Sequence, residues 1–558
     1  MAPDHASTRL APAVAAAPQA AAAGDGTAVP RGRRPGPGWL PAVIAVLAAL
    51  ASGGYRLGVP SPWRDEAATV DAAQRSVPQI LALLVHQDAV NGAYYLCLHP
   101  VILLLGSSPA AIRAPSVAAM AAAAGFTAAL GQRLAAQAGL PSPALTGLLA
   151  GLLVAAAPQA TRYAQDARPY GVVTMLAAIA SYLLVRALAD GRWRWWAGYG
   201  AALACAGLFN LFSLLLIVAH GTSVLILRAW PPAARPPGRQ LARWGAAAGA
   251  ATAVLAPLLL AGYRQRVQIG WLTRPGWSTA GALASGFAGS RAALLPVTLL
   301  ALAGAAAGPA HRRAGALTPG VIALPWLAAP AAILLTVSRV HPLFTARYVE
   351  FSLPALALLC AAGLSWLAGA AARVIRGAPP LLAWLPAAVI VVLLGALLAG
   401  SQQALRRPGS RIDNLRRAAA VLAAHELRGD AVLYLPSSRR ILSMSYPAPF
   451  RRLRDIGLGR SPAASATLAG TEVSPAVLRE RFEGVRRVWV VTIRGLKHPP
   501  PDTSTDQAKV ALIGQLRLTG WWHAGAVVLR LYTTGGQAAK THGTLPRTAA
   551  APGDGESQ

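Results

Sequence analysis

Long apolar blocks, parted by short arginine-bearing gaps, decide most of what this chain can become. They fall near 38–58, 109–131, 143–161, 171–188, 195–209, 211–228, 244–261, 291–307, 319–337, 349–371 and 380–400. Each is close to the ~20 residues that cross a bilayer as a helix. Only 13% of the 558 residues are charged and 55% are hydrophobic, against ~25% charged in an ordinary soluble domain. The pattern is that of an α-helical polytopic membrane protein. It excludes a soluble enzyme, a disordered chain and a fibre.

The net charge of +31, from 51 Lys+Arg against 20 Asp+Glu, invites a nucleic-acid reading. The positions of the charges argue against it. The basic residues sit mostly between apolar blocks, where they set topology and meet anionic lipid headgroups. Membrane lipids are therefore expected partners, and nucleic acid is not. Cys97, Cys205 and Cys360 lie in apolar stretches without metal-ligand spacing, so neither a structural disulfide nor a cysteine-held metal is expected.

The basic gaps also orient the chain. One further block, 92–106 (GAYYLCLHPVILLLG), has 15 residues, contains His99 and Pro100, and follows an amphipathic stretch at 66–86. If it lies on the surface instead of crossing, the chain has about eleven spans, and the basic gaps fall on the cytoplasmic side together with Arg31, Arg33 and Arg34. The loops 59–91, 162–170, 262–290 and 338–348 then share the outer side with the C-terminal part.

Four segments follow from composition: a disordered cytoplasmic tail at 1–37, a transmembrane domain at 38–400, an extracytoplasmic α/β domain at 401–540, and a disordered tail at 541–558. The tail before the first span is too long for a removable signal peptide, and no small-residue cleavage site follows it. In 401–540 the apolar runs stop. A helix is expected over 413–427 and another around 505–519, with strands at 431–436, 486–493 and 526–534.

Carboxylates are rare in the membrane half, so their positions carry information. Asp65 and Glu66 stand in SPWRDEAAT, just past the first span. Acids there also serve a helix dipole, and Glu66 is the more structural of the two. Asp166 stands in RYAQDARPYG among Arg162, Tyr163, Arg168 and Tyr170. The plainer alternative is a membrane-edge cluster with Arg168 paired to Asp166. SRVHPLFTARYVEF brings His341, Arg347 and Tyr348, with Glu350 entering the next span. A charge inside a span is costly without a cavity or a partner, and Arg347 and Glu350, three apart, suit a pair on one helix face. GYRQRVQIGWL holds Arg264 and Arg266, which are surface charge or phosphate ligands. An acid able to act as base, phosphate-matched arginines and an apolar bundle suit a lipid-linked phosphate. Neither a GxxxxGK(S/T) loop nor a GxGxxG after a strand competes.

The Asp-Glu of the first outer loop, NGAYYLCLHP, the RAPS at 113–116, YAQDARPYG and TARYVEFSLPALALL together resemble membrane glycosyltransferases of the GT-C fold. The likeness is to the bacterial branch of the protein O-mannosyltransferase and aminoarabinose-transferase superfamily, glycosyltransferase family 39-like. It covers about 38–400, and the 101-residue separation of Asp65 and Asp166 is similar to that family's layout. One departure is Asn91-Gly92-Ala93, where the family often has a histidine or proline pair before the Tyr-Tyr.

The resemblance implies a polyprenyl-phosphate sugar donor and a cell-envelope acceptor, which is protein, glycan or lipid. It implies Asp65 as general base, with Asp65, Glu66 and Asp166 as the catalytic acids. Transfer would invert the anomeric centre. Arg347, and after it Arg264, would neutralise the leaving phosphate, with Arg266, Arg168 and Tyr163 nearby and Tyr348 and His341 at the headgroup. Asp166 would place the acceptor, or hold a divalent cation together with Asp65. The competing readings are a flippase for a lipid-linked glycan and a non-catalytic membrane scaffold. A transporter is expected to show inverted repeats and broken mid-membrane helices, and the sequence displays neither.

Overall fold

All eleven apolar blocks are helical in the computed structural model, which describes residues 38–229, 238–307, 317–375, 379, 381–494 and 503–535. Both terminal tails lie outside the described residues, as do Arg31, Arg33, Arg34, Arg235, Arg312, Arg313 and Arg376. Six helices are long and apolar enough to cross a membrane, or up to eight if each of two bent pairs is one span. The chain is thus a multi-pass membrane protein. The block at 92–106 forms the helix Gly92–Leu105, which with the 3-10 turn before it counts only among the shorter apolar helices.

The bent pairs correct the expectation of unbroken helices. Pro143–Ala156 meets Pro158–Ala164 at 61°, and Gly238–Val254 meets Ala256–Arg264 at 48°. Pro158 and Pro257 stand in the first turn after each break. There a proline is tolerated, but it cannot donate to the preceding helix.

Small residues bring the helices close. A Cβ on Gly304 would lie 1.8 Å from the Leu359 carbonyl oxygen, and one on Gly363 would lie 2.2 Å from that of Leu300. The helices Leu294–Ala306 and Leu353–Val374 therefore touch backbone to backbone, the usual packing where no water drives association. The three cysteines are unpaired.

The amphipathic stretch after the first span is two helices, Arg64–Gln74 and Val77–His86. Ser76 and Gln79 form a capping box that starts the second. Further along, a five-stranded sheet has the order β2-β1-β3-β5-β4, with β1 Ala431–Tyr434, β2 Arg454–Asp455, β3 Arg487–Ile493, β4 Arg517–Ala524 and β5 Val527–Thr533. The β1–β2 and β1–β3 pairs are parallel, whereas β3–β5 and β4–β5 are antiparallel. β3 is apolar from Val488 to Val491 because both of its faces are covered there. The expected helix at 505–519 stops at Ile513, and β4 takes its last residues. That edge strand is half-exposed and bulged at Leu518/Gly520, so its apolar alternation is weak in sequence.

Candidate active site

Asp65 is the second residue of the helix Arg64–Gln74, and Arg347 lies on the 3-10 turn Ala346–Ser352 that leads into Leu353–Val374. Arg347 Nη1 donates to Asp65 Oδ2 at 2.7 Å, with side chains 16% and 21% exposed. Water and a ligand can therefore still reach both. The Arg347 guanidinium also lies 5.7 Å from the Trp63 ring centre, 5.6 Å from Trp271 and 5.8 Å from Tyr348. All three are within cation–π reach. Tyr348 in turn stacks on Phe212 at 4.8 Å. Beside this pair a cavity of about 290 Å³ opens between Trp271, Leu272, Thr279 and Leu283 on one side and Phe344 and Ala346 on the other.

Glu66 is one residue away and does something different. It is fully buried, with Arg113 Nε donating to Oε1 and Nη2 to Oε2, both at 2.7 Å. The Ala167 N–H adds a third bond at 2.9 Å. Arg113 spends its remaining donor on the Leu57 and Pro60 carbonyls. Burial works to raise the Glu66 carboxyl, but Arg113 and the Ala167 N–H outweigh it and hold it below the usual carboxylate range. With no exposed oxygen, Glu66 ties the first outer loop to the segment around 167. Its geometry is that of a positioning group.

Asp166 is also fully buried. It accepts from Trp63 Nε1 at 2.9 Å and faces Arg162 at 3.6 Å. The bend at Pro158 swings Arg162 and Tyr163 into this position. Burial pushes the Asp166 carboxyl above its ordinary value, against the pull of Arg162. The expected Asp166–Arg168 pair does not form. Arg168 instead donates to Thr69 Oγ1 and Asn91 Oδ1, at 3.1 and 3.2 Å. Arg162 is thus the partner, because i,i+4 spacing on a helix end aims it correctly, whereas Arg168 lies beyond the turn. Tyr163 sets its ring against Tyr170 at 5.2 Å and lies 5.7 Å from the Arg162 guanidinium.

The expected Arg347–Glu350 pair is absent as well. Glu350 is 1% exposed, and neither of its oxygens has a hydrogen-bond partner among the described residues. Drawing the guanidinium inward to meet it would strip Arg347 of water, whereas Asp65 offers a partner at the mouth. Glu350→Leu, which removes an unpaired buried carboxyl, is expected to stabilise the fold by about 1–3 kcal/mol in thermal unfolding.

Other candidates lie apart from this cluster. Arg264, Arg266 and His341 are exposed, and Arg266 folds onto the Tyr263 ring at 4.4 Å. The loop that carries the two arginines reaches the site through Trp271 instead. The cation expected between Asp65 and Asp166 would have to compete with their arginine partners. Each carboxylate already meets a guanidinium, and among the described residues no group of three or more His, Cys, Asp or Glu is arranged to hold a metal ion.

Trp63, Trp271 and Arg113 were missed as site residues in the sequence. Trp63 stands two residues before Asp65, where an indole N–H near an acid was the available signal. Arg113 appeared only as part of a motif. Nothing local marks Trp271.

The chain is similar in fold to known proteins. Residues 93–270 match the family model described as dolichyl-phosphate-mannose-protein mannosyltransferase. The ArnT of Cupriavidus metallidurans in the apo state superposes with a TM-score of 0.54 at 15% identity, over 89% of this chain and 99% of that one. Bound to undecaprenyl phosphate, ArnT from that organism gives 0.49 at 15% identity, over the same shares of the two chains. The apo oligosaccharyltransferase of Archaeoglobus fulgidus gives 0.47 at 11% identity, over 81% of this chain and 69% of that one. No curated protein matches the sequence at a significant level. The chain is a multi-pass membrane protein with the GT-C glycosyltransferase fold and a small C-terminal sheet domain. Within that fold class it is similar to the mannosyltransferase-like, family 39-like members.

Proposed function

We propose that the protein transfers a sugar from a polyprenyl-phosphate donor to an acceptor hydroxyl at the outer face of the cell membrane, with Asp65 as general base. The N-terminus is then cytoplasmic and the C-terminal domain extracytoplasmic. The observation that carries this reading is the accessible Asp65–Arg347 pair, set beside an apolar cavity, while Glu66 and Asp166 are sealed. The family description, with its dolichyl-phosphate donor, supports the same substrate class.

The chemistry follows from the residues present. The donor's phosphate engages the Arg347 guanidinium, which suits phosphate oxygens. Its first isoprene units lie along the Trp271–Leu283–Phe344 cavity, whose walls are mostly apolar. Because Arg347 is the cation that contacts Asp65, engaging the phosphate frees an Asp65 oxygen for the acceptor. Asp65 takes the hydroxyl proton, and the acceptor oxygen bonds to the anomeric carbon from the opposite face. The carbon–oxygen bond to phosphate breaks, its electron pair leaves with the phosphate, and the configuration inverts. Arg347 neutralises the developing dianion. Asp166 holds Trp63, and through it one wall of the site.

Arg347→Gln is expected to raise KM for the donor and lower kcat by about 10²–10³-fold, since a transition-state charge loses its partner. The function itself is tested with purified protein in detergent, a panel of radiolabelled polyprenyl-phosphate sugars, and membrane extract as acceptor. Label in a product from at least one donor is expected, and Arg347→Gln should suppress it. Absence of transfer from every donor by folded protein would overturn the reading.

A further inference from the structure

The helix that carries Asp65 begins without a cap of its own. Its N-cap residue is Trp63, whose side chain accepts no bond from the first turn. The opening N–H groups of a helix need an acceptor, and here it comes from 349 residues away. Asp413 Oδ2 accepts from the Arg64 N–H at 3.2 Å and from Arg64 Nε at 2.8 Å, while Oδ1 accepts from Nη2 at 3.2 Å. Asp413 is 1% exposed.

Asp413 is itself held in register by the sheet. It bridges to Gly525 in the turn between β4 and β5, where the Ala526 N–H donates to the Ile412 carbonyl at 2.7 Å and the Asn414 N–H to that of Ala524 at 3.0 Å. Gly525 has φ +67, and a Cβ there would lie 2.5 Å from the Ile412 oxygen. Neighbours of Asp413 grip the same region. Arg416 donates to the carbonyls of Gly58 and Val59, and its N–H to Ser61 Oγ. Arg411 Nη2 donates to the Gln165 carbonyl at 2.7 Å, next to Asp166. On the inner face of the Asp65 helix, Ala67 packs into the same apolar cluster as Leu415, Val432 and Trp489.

We propose that Asp413 is a positioning residue: the C-terminal α/β domain caps the catalytic helix through it and so holds Asp65 on Arg347. The domain is then part of the active site and not an appendage. This rests on the reading of Asp65 as the base.

Two measurements test it. In the transfer assay, with whichever polyprenyl-phosphate sugar of the panel is used, Asp413→Ala is expected to lower kcat about 10²-fold with KM for the donor little changed, the scale of a misplaced catalytic group. Asp413→Asn, which keeps an acceptor oxygen for the Arg64 N–H, should recover much of this. Gly525→Ala, which displaces the loop holding Asp413, should lower kcat without touching a charge. In an Asp65→Asn background the Asp413→Ala change should cost less than about 3-fold, because two residues acting through one group are not additive. An equal loss in both backgrounds overturns the proposal. If Asp65→Asn is inactive while Asp413→Ala keeps the wild-type kcat, positioning fails and the base assignment stands. If Asp65→Asn is fully active, the base assignment fails.

The second measurement does not depend on turnover. Hydrogen exchange of the amides of residues 64–67 in the full-length protein in detergent should speed up in Asp413→Ala and less so in Asp413→Asn. Unchanged exchange in both variants overturns the cap.

Discussion

Asp65→Asn is expected to lower kcat by about 10²–10⁴-fold while leaving the fold and donor binding nearly intact, the usual contribution of a positioned general base. The amide keeps the shape of the carboxyl and can still accept from Arg347 Nη1, which sits 2.7 Å away. It cannot take a proton from an acceptor hydroxyl. With its side chain 21% exposed, Asp65 is open to water, so the substitution disturbs little packing. The matched measurements are single-turnover transfer and thermal unfolding in the same detergent. Wild-type transfer by a folded Asp65→Asn protein would remove Asp65 from the chemistry.

Arg113→Ala is expected to act on stability instead, by about 3–5 kcal/mol, the cost of stripping one partner from a buried ion pair. It leaves the sealed Glu66 carboxyl without its cation and with only the Ala167 N–H on Oε1, and it removes the donor to the Leu57 and Pro60 carbonyls. Total stabilities of ~5–15 kcal/mol leave little margin for such a loss, so little monodisperse protein should survive extraction. Glu66→Met combined with Arg113→Met should recover part of it, because no buried charge then lacks a partner. The pH dependence has a definite sign. The folded Glu66 carboxyl lies below its ordinary 4.5, so the pair's contribution is present above that pH and fades as pH falls toward the lower folded value. Unfolding followed by light scattering and by melting temperature across pH reads both effects. An Arg113→Ala protein as stable as wild type would sink this account.

The two predictions separate adjacent residues, Asp65 and Glu66, that look alike in sequence. Both are acids at the start of an amphipathic segment, and only their surroundings divide the accessible one from the sealed one. Asp65 and Asp166 stood out because carboxylates beside a span are scarce, and scarcity can be read without knowing any contact; Arg347 stood out through its motif. Partners were less legible. Arg347–Glu350 and Asp166–Arg168 were the local pairings that spacing suggested, and the structure makes neither. Spacing permits a contact without compelling it; desolvation and the competing partners decide.

The amino-acid sequence by itself determined that this is a membrane protein, where its apolar helical blocks lie, which end of the chain folds as α/β, and which few carboxylates stand at the span ends. Hydropathy and charge are properties of short stretches, so local solvation is enough to settle them. The tertiary structure alone decided that Arg347 meets Asp65 across 282 residues, that Arg113 seals Glu66, that the chain bends at Pro158 to bring Arg162 to Asp166, and that Asp413 accepts from the first N–H of the helix that carries Asp65. Those contacts exist only after many helices have packed and long loops have closed, and no single stretch of residues carries the free energy that selects them.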